Sequence, residues 1–127
     1  MRTYVIEPQL VFVPFLERML AAAGIQVVAT SAEVDERDIA AHAPAAILVD
    51  VDFFERGAAN ALCRIRQAAR YAAVIALSDI DDATFAASCY ISGASAVCSK
   101  REGLEKILGA LRSALGVERG SAAAPVL

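Results

Sequence analysis

The sequence predicts an α/β fold, an open and doubly wound sheet of five parallel strands with five helices over its two faces. Three observations lead there. Five short apolar runs, rich in β-branched residues, alternate with stretches of helical periodicity. Two of the runs, Ala46-Ile47-Leu48-Val49 and Ala73-Val74-Ile75-Ala76-Leu77, are apolar at every position, as strands covered on both faces must be. The alternation is strict and the loops are short, which gives parallel strands joined by helical crossovers.

Each element has its own signal. The first strand is Tyr4-Val5-Ile6. After it, Val11, Phe12, Phe15, Leu16, Met19, Leu20 and Ala23 recur at spacings of three and four, and Gly24 supplies the stop. Pro14 sets where that helix starts. A proline costs about 3 kcal/mol in a helix interior, but in the first turn its missing N–H is an orphan anyway. The start therefore belongs near Val11 to Val13. Ile25-Gln26-Val27-Val28-Ala29 is the second strand. Residues 32–42 carry the weakest helical pattern, with Val34 and Ile39 as their larger apolar positions. His42, just before Pro44, reads as a residue that complements the helix dipole.

The third strand ends on Asp50, and Ala58, Leu62, Ile65 and Ala69 mark the helix after it. The fourth strand ends on Ser78, and Phe85 with Cys89 mark a helix that stops before Gly93. Ala96-Val97-Cys98-Ser99 runs into Lys100. Leu104, Ile107, Leu108, Leu111 and Leu115 form the cleanest stripe. Burying each such side chain is worth about 1.5–3 kcal/mol, enough to dock the last helix. Residues 1–116 read as one domain, and 117–127 as a flexible tail or the start of a linker.

Composition narrows the function classes. A chain of 127 residues, 57% hydrophobic, buries a real core without disulfide or metal staples. The net charge of −3 and a mere two lysines, Lys100 and Lys106, leave no electrostatic footprint for nucleic acid. The first residues do not look like a signal peptide, and no apolar stretch reaches membrane-spanning length. Cys63, Cys89 and Cys98 are odd in number and lack C-x-x-C spacing, so they are expected to be buried, inert thiols of a cytoplasmic protein.

For five strands the common doubly wound order is the flavodoxin-like 2-1-3-4-5, which places a site outside the carboxyl ends of the strands. Those ends carry Glu7, Asp50, Ser78 and Lys100. Paired carboxylates can hold a hard cation such as Mg²⁺, and a carboxylate can itself accept a phosphoryl group. A lysine and a hydroxyl would then steady the phosphoryl oxygens.

Here the chain resembles response-regulator receiver domains. Ala46-Ile47-Leu48-Val49-Asp50 is similar to their third strand and acceptor aspartate. Ile75-Ala76-Leu77-Ser78 is similar to the fourth strand with its switch hydroxyl, and Gly93-Ala94-Ser95-Ala96-Val97-Cys98-Ser99-Lys100 to the family's G-A-x-x-x-x-x-K segment. The resemblance implies that Asp50 accepts the phosphoryl group, that Ser78 and Lys100 contact its oxygens, and that Glu7 belongs to the acidic pair holding Mg²⁺. It implies a sensor histidine kinase or phosphotransfer protein upstream, and an output domain or partner protein downstream, with a homodimer as one further possibility. Such a module regulates and is not an enzyme in the ordinary sense.

Four positions depart from the family pattern. Pro8 stands where the second acid of the pair belongs, so weakened Mg²⁺ binding is expected, with Asp52 as a substitute source of oxygen. Phe54 and Arg101 stand where prolines are usual, so the peptide before Arg101 is not expected to be cis. Val97 replaces the aromatic residue of the switch, which implies a damped conformational response. Two other readings remain open. A pseudo-receiver would keep the fold and work by constitutive protein contact. Asp50-Val51-Asp52 also resembles the D-x-D of haloacid-dehalogenase-type phosphatases, although that motif normally opens the first strand. Phe53 and Phe54 are expected to pack the loop after Asp50.

Overall fold

The alternation of side chains along the strands divides the core into two layers, one on each face of the sheet. In the computed structural model, residues 1–115 are described, with Leu104 and Leu115 described by backbone alone. The elements are β1 (Arg2–Ile6), a 3-10 turn (Leu10–Phe12), α1 (Val13–Ala22), β2 (Gln26–Ser31), α2 (Glu36–His42) and β3 (Ala46–Asp50). They continue with α3 (Gly57–Ala68), β4 (Ala73–Ser78), α4 (Ala83–Ile91), β5 (Ala96–Ser99) and α5 (Leu104–Leu115). The five strands are parallel in the order β2-β1-β3-β4-β5, the order expected.

Because side chains alternate in a strand, Ile47, Val49, Val74 and Ala76 point to one face, where Ile39 of α2, Leu62 and Ile65 of α3 and Cys89 of α4 cover them. Leu48, Ile75 and Leu77 point to the other, against Leu20 of α1 and Ile107, Leu108 and Leu111 of α5. The middle of the last helix's stripe is thus buried as expected; its ends, Leu104 and Leu115, lie outside the described side chains. The tail from residue 116 onward also lies outside the described residues.

Helix boundaries follow caps. Pro14 sits in the first turn of α1, which a 3-10 turn precedes. The second helix starts only at Glu36, because the Asp35 carboxylate accepts from the Asp38 N–H at 3.0 Å and caps it there. His42 closes the same helix, its Nδ1 2.9 Å from the Asp38 carbonyl. The ring meets buried Tyr4 edge-on, and the Tyr4 hydroxyl donates to Asp38 at 2.5 Å.

One expectation about burial changes, and one stripe is only partly covered. Cys63 is exposed, unlike Cys89 and Cys98. Its neighbours Ala61, Leu62 and Ile65 take the inner face of α3, which turns position 63 outward. The front of the first helical stripe is also uncovered: Val11, Phe12 and Phe15 are exposed. They precede or open α1 near the carboxyl ends of the strands, and Phe12 and Phe15 line a cleft there instead of the core.

Candidate functional site

Parallel strands that end together bring their last residues to one rim. Asp50 ends β3, the middle strand, and pairs in register with Leu77, beside Ser78 at the end of β4. Ser78 pairs with Ser99, which places Lys100 directly beyond β5. Glu7 follows β1, its N–H donating to the Ser31 carbonyl at 2.9 Å. Glu7, Asp50 and Ser78 are all buried. Burial of charge requires partners.

Asp50 receives two. The Lys100 ammonium lies 2.8 Å from Asp50 Oδ2, and the Asp52 N–H donates to Oδ1 at 3.1 Å. Lys100 also reaches Asp52 Oδ2 at 2.9 Å, so one ammonium bridges two carboxylates. Burial works against its charge, but both carboxylates overcome this and raise the lysine above its ordinary range. Phe53 lies beneath the same ammonium, 4.9 Å from ring centroid to Nζ.

Asp52 is not a solvated loop acid. The Ser78 hydroxyl donates to its Oδ1 at 2.5 Å, and the Asp79 N–H donates to its Oδ2 at 2.9 Å. Burial pushes this carboxyl up, yet Ser78, Lys100 and the Asp79 amide together hold it below its ordinary value. The Ser78 oxygen in turn accepts from the Ile80 N–H at 2.9 Å, which fixes the hydroxyl from both sides. The spacing from Asp50 that marks Asp52 in the sequence as a substitute source of oxygen brings its carboxylate to a hydroxyl, an amide and an ammonium. The Asp79 amide left no signal in the sequence, since a backbone donor is available at almost every residue.

Glu7 is held differently. Burial, with the neighbouring Asp50 carboxylate, pushes it up to about 7, while the Gln9 N–H at 3.1 Å and Lys100 oppose the rise. Among the described residues no group of three or more His, Cys, Asp or Glu side chains gathers as a metal site. Two carboxylates with waters are nevertheless a usual Mg²⁺ environment, and the burial and repulsion that raise Glu7 are what a divalent cation would offset. Glu7 and Asp50 fit such an ion; Pro8 adds no side-chain oxygen.

Val97 is half-buried beside a hollow of about 240 Å³ lined by Ser78, Ala83, Ala86 and Val97. The loop phenylalanines separate: Phe54 packs on the core, whereas Phe53 is half exposed. No cis peptide occurs among the described residues, Lys100–Arg101 included.

Solved structures share this architecture. A two-component response regulator of the LuxR family from Aurantimonas sp. SI85-9A1 matches with a TM-score of 0.83 at 20% identity, over 91% of this chain and 84% of its own. The fold is the response-regulator receiver fold. Among other receiver-fold neighbours is a response regulator from Burkholderia pseudomallei with a phosphorylated aspartic acid, calcium ion and citrate (TM-score 0.78, 21% identity, 96% of this chain and 72% of that one). Another is the CheX–CheY complex with BeF3 and Mg from Borrelia burgdorferi (TM-score 0.73, 17% identity, 89% and 87%). No family model matches the chain, and no curated protein matches it. Among the described residues, no helix is long and apolar enough to cross a membrane.

Proposed function

We propose that the chain is a receiver module of phosphorelay signal transduction that accepts a phosphoryl group on Asp50. One observation carries the reading: a buried carboxylate ends the middle strand with a lysine ammonium 2.8 Å away and a serine hydroxyl on the adjoining strand end. An Asp50 oxygen attacks the phosphorus of a phosphohistidine or acyl phosphate. A new O–P bond forms, the bond from phosphorus to the donor's nitrogen or oxygen breaks, and the leaving group keeps that electron pair. Lys100 offsets the charge that develops on the phosphoryl oxygens. Mg²⁺, held by Glu7 and Asp50, would supply further charge neutralisation there.

The module then acts through a histidine kinase or phosphotransfer protein upstream and an output domain or partner protein downstream, as a regulator and not as an enzyme. Val97, with no ring to follow Ser78, limits how far the change spreads beyond β4. The test is an intact-mass spectrum after incubation with acetyl phosphate and Mg²⁺. A gain of one phosphoryl group, lost in Asp50→Asn, is expected. No gain under any donor, with partner binding preserved in Asp50→Asn, would instead support a phosphorylation-independent pseudo-receiver.

A further inference from the structure

Three donors of different kinds converge on one carboxylate in this site. The Ser78 hydroxyl, the Asp79 backbone N–H and the Lys100 ammonium lie 2.5, 2.9 and 2.9 Å from the Asp52 oxygens. A hydroxyl, an oriented amide and an ammonium around one point form an oxyanion cradle. The neighbouring Asp50 shares the same ammonium.

We propose that Asp52 is the resident anion of this cradle, an internal competitor that must leave before a phosphoryl group or a free tetrahedral oxyanion can take the three donors. This deepens the phosphoacceptor reading and rests on it where Asp50 modification is concerned; the cradle as an anion site stands without it.

The geometry supports exclusion and not sharing. Ser78 has one proton, and that proton is committed to Asp52, because the Ile80 N–H points at the serine oxygen from the other side. The Asp79 amide likewise has one hydrogen to give. A phosphoryl group brings about −1.5 to −2 charge and three acceptor oxygens to the same donors. Two such anions beside Asp50 would repel at short range with only one ammonium between them. Asp52 is covered by the site, with a side-chain exposure of 12%, but it belongs to the loop between β3 and α3, so it can swing out without breaking a strand. That loop also carries Phe53, stacked under Lys100, so departure of Asp52 alters the packing of an exposed aromatic ring.

Competition has a definite consequence. An oxyanion binds with its intrinsic affinity multiplied by the fraction of time the cradle is open, so emptying a cradle open about a tenth of the time tightens binding about tenfold. The same factor applies to acceptor reactivity wherever the cradle must hold the incoming group.

The experiment titrates inorganic phosphate into the full chain, its Asp52→Ala variant and its Asp52→Asn variant, following backbone amide resonances. Asp52→Asn keeps the shape and folds even if the alanine loop does not. Saturable shifts at Asp79 and Ile80, at least about tenfold tighter in the variants than in the parent, are expected. Equal affinity in all three proteins, or shifts that spare Asp79, would overturn the proposal. Intact mass after acetyl phosphate and Mg²⁺ separates it from the acceptor reading. Tighter phosphate binding in the variants with no mass gain in any protein leaves the cradle standing and removes the acceptor. Equal phosphate affinity with mass gain at one rate in all three proteins removes the resident anion and leaves the acceptor.

Discussion

On the face covered by α2, α3 and α4, arginines tie helices to backbone carbonyls, while the face covered by α1 and α5 relies on buried aliphatic side chains. Arg66 of α3 donates to the Gly93 carbonyl at 2.6 and 3.1 Å and to the Ala72 carbonyl at 2.7 Å. Gly93 and Ala72 precede β5 and β4, so this anchor lies at the end of the sheet opposite Asp50. Gly93 adopts φ +121, and a Cβ there would come within 3.0 Å of the Arg66 side chain, which suits glycine alone. Arg64 adds a bond to the Val34 carbonyl at 2.9 Å. The other face buries Leu20, Ile107, Leu108 and Leu111, and beside the site it opens into a cleft of about 580 Å³ between Phe12, Phe15, Met19 and Phe53. Directional bonds add to the packing of one layer at the far end, whereas the other layer relies on non-directional packing next to the chemistry.

Breaking the packed face should produce the largest effect. Leu111 is fully buried, and Leu111→Ala is expected to cost about 2–5 kcal/mol in urea denaturation. Its amide-exchange signature should be faster exchange in α1 and α5 before α3. Uniform acceleration across both layers would show that the faces are one unit.

Breaking the pinned face should cost slightly less. Arg66→Ala removes several charge-assisted bonds and is expected to lose about 2–3 kcal/mol. Arg64→Ala, at a solvent-exposed pair with Glu36, should lose clearly less. Equal losses for the two arginines would end the distinction between an anchor and a surface pair.

The rim between the layers should respond to pH. Glu7 is raised in the folded chain to about 7, so the folded state holds its proton more tightly than the unfolded one. The contribution is full below the ordinary carboxyl range and is lost as pH rises through about 7. Stability should therefore fall between about pH 5 and pH 8, and Glu7→Gln should flatten that fall. Mg²⁺ should restore stability mainly at the upper end, where Glu7 is charged. A slope unchanged by Glu7→Gln would assign it to another group.

The smallest effect belongs to the first strand. Thr3 is fully buried, and its hydroxyl has no hydrogen-bond partner among the described residues. Thr3→Val keeps the shape and removes the unpaired oxygen, so a gain of about 1 kcal/mol is expected by thermal unfolding. A loss would mean that the hydroxyl finds a partner in solution.

Much of this is legible in the sequence. The all-apolar runs 46–49 and 73–77 announced strands covered on both faces, and their polar ends announced the rim where Glu7, Asp50, Ser78 and Lys100 stand together. The α2 start was less legible because Asp35, a cap, overrides a vague periodicity. The exposure of Phe12 and Phe15 was not legible for a related reason: periodicity shows which way a residue faces, not whether another element lies there.

The sequence by itself determined the fold class and the cast of the site, because those follow from periodicity and from where strands stop; the strand order was expected from the common doubly wound arrangement and is fixed by the pairing. Tertiary structure alone decided who holds whom. Asp52 differs from an ordinary loop acid only in that its loop folds back onto the ends of β4 and β5, where Ser78, Asp79 and Lys100 present three donors. Hydrogen bonds act over about 3 Å and depend on angle, so residues dozens of positions apart become partners only when the chain is folded.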